Sequence, residues 1–288
     1  MEYQRTLAQP IELNSITLHS GIPASMTLHP APADSGIRFR RADLSPGEII
    51  CAVPYNVSST DRCTQLANER HYSISMVEHV MSALRGMGVD NAIIEADGEE
   101  IPVLDGSSVM ISDRIAETGL VEQHAPKKYM RLTKAVRVQI GRSYLEAIPA
   151  EEIAYEIQFT NDHELPFLTN QTAYFNPAIH DYRSEISPAR TFGYEQEVNL
   201  LRSKGLIQGA SMDNAVLIGN DRIMSDLRYP DEFARHKLLD VMGDLALAPP
   251  VLAQVRGVRT SHRLNTLLAR EIMNNLYSQG DSKDGVQA

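Results

Sequence analysis

The sequence predicts an α+β fold on three observations. Strand-sized and helix-sized stretches alternate along the chain, its ends are strand-rich, and no repeat of fixed period points to a solenoid or propeller. With 288 residues, 43% of them hydrophobic, the chain can bury a core as one large domain or two ordinary ones. In the first half, Ile11 to Leu18 shows apolar recurrence, and Gly36-Ile-Arg-Phe-Arg-Arg-Ala alternates at the period of two that sends successive side chains to opposite faces of a strand. Val77, Val80, Met81 and Leu84 fall at i, i+3, i+4 and i+7, which predicts a helix over 75–84. A strand over 92–96 follows Gly88 and ends at the polar turn Asp97-Gly98. The polar stretch Gln123-His-Ala-Pro-Lys-Lys near the midpoint reads as a linker, dividing the chain into 1–124 and 125–288.

The second half predicts strands over 135–139 and 155–159, then a long polar loop over 161–172. Helices are expected over 231–247, with Asp231 after Pro230 as N-cap, and over 263–277. The tail 278–288 has no apolar payload and is expected to be disordered. One echo links the halves, Val89-Asp-Asn-Ala-Ile-Ile and Met212-Asp-Asn-Ala-Val-Leu, which related halves or chance could produce.

Composition excludes several classes. The formal charge is −10 and no Lys/Arg run occurs, so a nucleic-acid binder is not expected. No window approaches 18 consecutive apolar residues, which rules out a membrane span. The first residues lack an apolar signal region, so a cytoplasmic protein is expected. Cys51 and Cys63 are too few for a disulfide framework and have no metal-ligand neighbour at short spacing, so both read as structural. An anionic small substrate stays open, provided that individual Lys or Arg residues line its pocket.

Three segments carry the chemistry. In a helix over 231–247, His236, Asp240 and Asp244 lie four residues apart on one face, and His236 with Asp240 could grip one metal ion. The same spacing also describes a solvated polar stripe. Glu78 and His79 place a carboxylate beside an imidazole at the start of the earlier helix, although Ser75-x-x-Glu78 also matches a capping box. His262 sits at a loop-to-helix junction. Catalytic zinc takes three N and O ligands and keeps an open position for water, a count that His79, His236 and Asp240 would meet.

Along nearly its whole length and in order, the chain resembles the UDP-3-O-acyl-N-acetylglucosamine deacetylases of Gram-negative bacteria. The matching stretches are Gln4-Arg-Thr-Leu, Leu18-His-Ser-Gly, Pro30-Ala-Pro-Ala, Gly36-Ile-Arg-Phe, Val77-Glu-His-Val-Met-Ser-Ala-Leu and Glu100-Ile-Pro-Val-Leu-Asp-Gly-Ser. They continue with Ala189-Arg-Thr-Phe-Gly, Gly209-Ala-Ser-Met-Asp-Asn-Ala, the run from Leu227 to Asp240, Gly243-Asp-Leu and Ser261-His-Arg-Leu-Asn. The resemblance implies two α+β halves of similar topology with helices packed between two sheets. It implies zinc, or ferrous iron in the cell, on His79, His236 and Asp240, with Glu78 as general base. His262 would be the acid that protonates the leaving amine, Asp244 its orienting carboxylate, and Thr191 an oxyanion donor. Lys237 and Phe192 would contact the sugar, and Arg142 is a candidate for the diphosphate. An insert within 195–225 would supply an acyl-chain passage, with Leu200, Leu201, Leu206 and Ile207 as lining or as plain core. The substrate would be UDP-3-O-acyl-N-acetylglucosamine, handled by a monomer. A zinc amidase on another acylated amino sugar and a non-catalytic nucleotide-sugar-binding homologue are the rival readings. The chain departs from the family at Met76, Pro188, Ser15-Ile16-Thr17 and Ser261, and a Ser261 forced to positive φ would be strained by ~1 kcal/mol or more.

Overall fold

The structure, a computed structural model, describes residues 2–44 and 48–280, with side chains described to residue 275. Two sheets organise it. The first has the strand order Ile11–Ile16, Pro23–Pro30, Ala92–Ala96, Ile37–Arg41, Ile49–Cys51. The second has the order Val136–Ile140, Ser143–Pro149, Val251–Val258, Ala154–Phe159, Gln171–Phe175, with Met130–Arg131 running parallel to Val251–Val258. Among the described residues the helices are α1 (Val77–Met87), α2 (Val109–Thr118), α3 (Tyr182–Glu185), α4 (Glu195–Ser203), α5 (Glu232–Leu245) and α6 (His262–Gly280). The composition of elements is the α+β mixture that the sequence predicts.

The two sheets are wired alike. Each begins with two antiparallel hairpins, and the last strand of the sheet enters between them. That strand pairs antiparallel with the first hairpin and parallel with the second. A helix precedes it and another follows it: α1 and α2 around Ala92–Ala96, α5 and α6 around Val251–Val258. The echo of sequence is not the trace of this likeness. Asn91-Ala92 opens the central strand of the first sheet, whereas Asn214-Ala215 leads into Val216–Ile218, which pairs with Phe192–Tyr194 in a separate ribbon.

Each sheet covers one core. Val77, Val80, Met81 and Leu84 of α1 join the first, and Phe233, Leu238, Leu239 and Val241 of α5 join the second. The two helices meet directly, because α5 carries glycine at 243. A Cβ there would lie 2.0 Å from the carbonyl oxygen of Glu78, so any larger residue would push the backbones apart.

Several expectations are corrected. The stretch read as a linker is largely strand, since Leu120–Pro126 pairs with Tyr3–Leu7. Helices α2, α3 and α4 were not anticipated; α4 buries none of its residues, so it has no apolar stripe dictated by packing. Asp231 stands at the N-cap position of α5, but its carboxylate takes the Nε of Arg235 at 2.7 Å rather than a backbone N–H. Helix α6 continues to Gly280, and the remainder of the tail read as disordered lies outside the described residues.

Candidate active site

Helix α5 is buried almost all round, so the stripe of His236, Asp240 and Asp244 is not a solvated face; their exposures are 2%, 3% and 1%. Buried polar groups need partners, and the identity of each partner defines the site. His79 and His236 lie edge to face with ring centroids 5.2 Å apart. Their Nε2 atoms stand 3.9 and 3.4 Å from Asp240 Oδ1. The Nδ1–H of His236 donates to the carbonyl of Ala189 at 3.1 Å, which leaves the Nε2 lone pair facing inward. Burial, with the neighbouring imidazole, pushes the His79 pKa down to about 3, and burial lowers that of His236 as well, so both rings are held neutral. Burial opposes the charge on Asp240, but His236 and Lys237 hold its carboxyl well below the ordinary range.

The decisive atom is Asp240 Oδ1, which is buried and accepts no hydrogen bond. Lys237 satisfies the other oxygen, Oδ2, at 3.0 Å. Two imidazole nitrogens and this oxygen lie within 4.8 Å of one another. This grouping could hold a cation, and its N,N,O donor set suits a divalent metal.

Beside the triad lies an acid–base pair. Glu78 does not form the capping box. The N-cap residue of α1 is Met76 in a left-handed conformation (φ 65), and the Ser75 hydroxyl donates to the carbonyl of Glu99. Glu78 Oε2 accepts the N–H of Thr64 at 3.0 Å, and Oε1 faces His262 Nε2 at 3.9 Å. Burial raises the Glu78 pKa to about 7 against the pull of His262. His262 Nδ1 meets Asp244 Oδ2 at 2.9 Å. Burial would depress this imidazole, but the Asp244 and Glu78 carboxylates outweigh it and carry its pKa up to about 9. Ser261 is not among the residues of positive φ, so the expected strain before His262 is absent, and its hydroxyl accepts the Leu264 N–H at 3.4 Å.

The segment Ala189-Arg-Thr-Phe-Gly borders the triad. Arg190 is locked to Glu232, Thr191 donates its N–H to the carbonyl of Gly106 at 2.7 Å, and Phe192 packs 6.0 Å from the His236 ring. Lys237 Nζ lies 5.4 Å over the Phe192 ring. Arg142 is not brought into this cluster by any described contact; it is exposed in the hairpin turn after Ile140, with no hydrogen bond or ion pair among the described residues. Leu201, Leu206 and Ile207 are half-buried and Leu200 is 57% exposed, so none of the four is core. Thr64 and Asn265, both holding Asp244, escape a reading of the sequence. Asn265 lies three residues after His262 and shares its helix face, which is the signal that could have found it; Thr64 lies in a stretch without periodicity and offers none.

A buried N,N,O donor set with a carboxylate and an Asp-held imidazole at its side defines a metalloenzyme of the hydrolase class. The chain belongs to the UDP-3-O-acyl N-acetylglycosamine deacetylase family, whose model matches residues 4–274. Proteins named UDP-3-O-acyl-N-acetylglucosamine deacetylase are similar throughout. That of Cellvibrio japonicus is 42% identical over 277 residues, 94% of this chain and 90% of the relative. That of Colwellia psychrerythraea is 39% identical over 274 residues, 93% and 89% of the two chains. That of Brucella melitensis biotype 2 is 38% identical over 277 residues, 95% and 96% of the two.

Proposed function

We propose that this chain hydrolyses the acetamide of UDP-3-O-acyl-N-acetylglucosamine, releasing acetate and the free amine, in the synthesis of lipid A in the cytoplasm. Zinc on His79, His236 and Asp240, or ferrous iron in the cell, would lower the pKa of a bound water toward ~7 and polarise the acetamide carbonyl. Glu78 takes the proton of the attacking water through Oε1, the oxygen left free by Thr64. His262, kept protonated by Asp244 and Glu78, gives a proton to the departing nitrogen, without which the C–N bond does not break. Thr191 offers its hydroxyl to the oxygen on which negative charge develops. Lys237 and Phe192 form a cation and an aromatic wall for the sugar. Arg142 stands in a turn at the same end of its sheet as Val258, four residues before His262, and is our candidate for the diphosphate. The exposed apolar side chains of the 195–225 insert, Leu200 foremost, suit an acyl chain better than water. In this reading 1–124 is the unit that supplies Glu78 and His79, and 125–288 supplies the remaining groups.

One observation carries the proposal: Glu78 and His262 face each other beside Asp240 Oδ1, a buried oxygen without a hydrogen-bond partner, and the imidazole nitrogens of His79 and His236 lie grouped with it. Described residues include no helix long and apolar enough to cross a membrane. The test is deacetylation of UDP-3-O-acyl-N-acetylglucosamine by metal-depleted protein refilled with one equivalent of zinc. Activity should return with zinc and be absent before it. A protein that takes up zinc and leaves this substrate untouched would shift the reading to another acylated amino sugar.

A further inference from the structure

Thr64 bonds Glu78 directly and is linked to His262 through Asp244. It stands just before the strand Gln65–Ala67, in a small sheet with Val57–Ser59 and Ser73–Ile74, and is fully buried. Each of its polar groups is committed. Its N–H donates to Glu78 Oε2 at 3.0 Å, its carbonyl accepts the N–H of Val77 at 3.3 Å, and its hydroxyl donates to Asp244 Oδ1. Asp244 Oδ2 is left for Asn265 Nδ2 at 2.8 Å and His262 Nδ1 at 2.9 Å. Glu78 Oε1 is left facing His262 Nε2 at 3.9 Å.

We infer that Thr64 is a positioning residue for the acid–base pair, fixing which oxygen of each carboxylate is turned toward His262. The inference rests on the function proposed above. A carboxylate is a two-fold rotor with a broad torsional well. With one oxygen pinned, the other is held at the imidazole; unpinned, Asp244 loses the donor that sets its plane, and His262 loses the partner that sets its ring. The main-chain bond to Glu78 survives substitution, so a change of the hydroxyl reports on the Asp244–His262 arm alone. Thr64 forms no hydrogen bond with His79, His236 or Asp240, so metal binding is expected to be unaffected.

The experiment uses the full chain loaded with one zinc, with kcat and KM measured on UDP-3-O-acyl-N-acetylglucosamine for Thr64→Ala, Thr64→Val and Thr64→Ser. Loss of a group that orients a reacting side chain costs about 10–100-fold, and that fall is expected in kcat for the Ala and Val variants, with KM within about twofold and zinc content unchanged. Serine keeps the hydroxyl and should restore kcat to within about threefold. Valine sets a methyl against a buried carboxylate; should it fail to fold, alanine carries the same test. In a His262→Ala background the alanine substitution should cost no more than about twofold, because the group through which Thr64 acts is gone. An alanine variant with wild-type kcat, or an equal loss in both backgrounds, overturns the inference. Wild-type protein loaded with zinc that cannot turn over the substrate refutes the proposed function and this inference with it. Active wild type, an impaired His262→Ala variant and a normal Thr64→Ala variant together refute the role of Thr64 alone.

Discussion

The two sheets share one connectivity, yet the turns that follow their central strands do opposite things. After Ala92–Ala96, the Glu100 carboxylate is saturated by the N–H of His19 at 2.6 Å and by the N–H and hydroxyl of Ser20, each at 3.0 Å. After Val251–Val258, the corresponding turn delivers His262, one ring nitrogen held by Asp244 and the other facing Glu78 at 3.9 Å. The same contrast separates the helices before those strands. Glu232 at the start of α5 accepts from the backbone and guanidinium of Arg190 and from the Arg228 N–H. Glu78 at the start of α1 keeps one oxygen without a close donor. Glu100 and Glu232, engaged on both oxygens by the frame around them, hold structure, whereas Glu78 keeps an oxygen turned toward His262.

The largest effect expected on that distinction is at Glu78. Glu78→Gln should lower kcat by about 10²–10⁴-fold while the melting temperature and zinc content stay near wild type. Parallel loss of stability would erase the contrast. Glu232→Gln should do the reverse. It leaves the Arg190 charge uncompensated in a buried site and should cost about 3–5 kcal/mol of stability in denaturant titration, with the kcat of the folded protein little changed. Glu100→Gln, which weakens hydrogen bonds to one loop, should cost about 1–3 kcal/mol and spare kcat likewise. If either of these variants lost activity while remaining fully stable, the saturated carboxylates would have to be counted among the chemistry.

How much of this was legible in sequence follows the same line. His236, Asp240 and Asp244 fall on one helix face because a helix puts every fourth residue there, although spacing alone favours a solvated stripe. Burial decided between those readings, and burial belongs to the tertiary structure. The capping-box reading of Glu78 failed because a residue distant in sequence, Thr64, supplies a backbone N–H that no side-chain pattern advertises. Strand Leu120–Pro126 was hidden because its run of polar residues masks the alternation: Glu122 and His124 are exposed, while Gln123 between them turns inward to bond Asn91 and the carbonyl of Ala31. Helix α4 was hidden for a related reason, since none of its residues is fully buried and, of its apolar side chains, Val198 and Leu201 are only half-covered. The echo misled because three shared residues, Asp-Asn-Ala, are too few to fix a register. Ser261 was suspected of strain on an assumed φ, and the positive φ in that turn belongs to Arg259, at 55°.

The most direct test of the central claim is zinc X-ray absorption on protein refilled with one equivalent of the metal. The account predicts nitrogen and oxygen neighbours only, at about 2.0–2.2 Å, with the multiple scattering of two imidazoles. A sulfur neighbour at about 2.3 Å would put the metal on Cys63 or Cys51 and contradict the assignment of His79, His236 and Asp240 as its ligands.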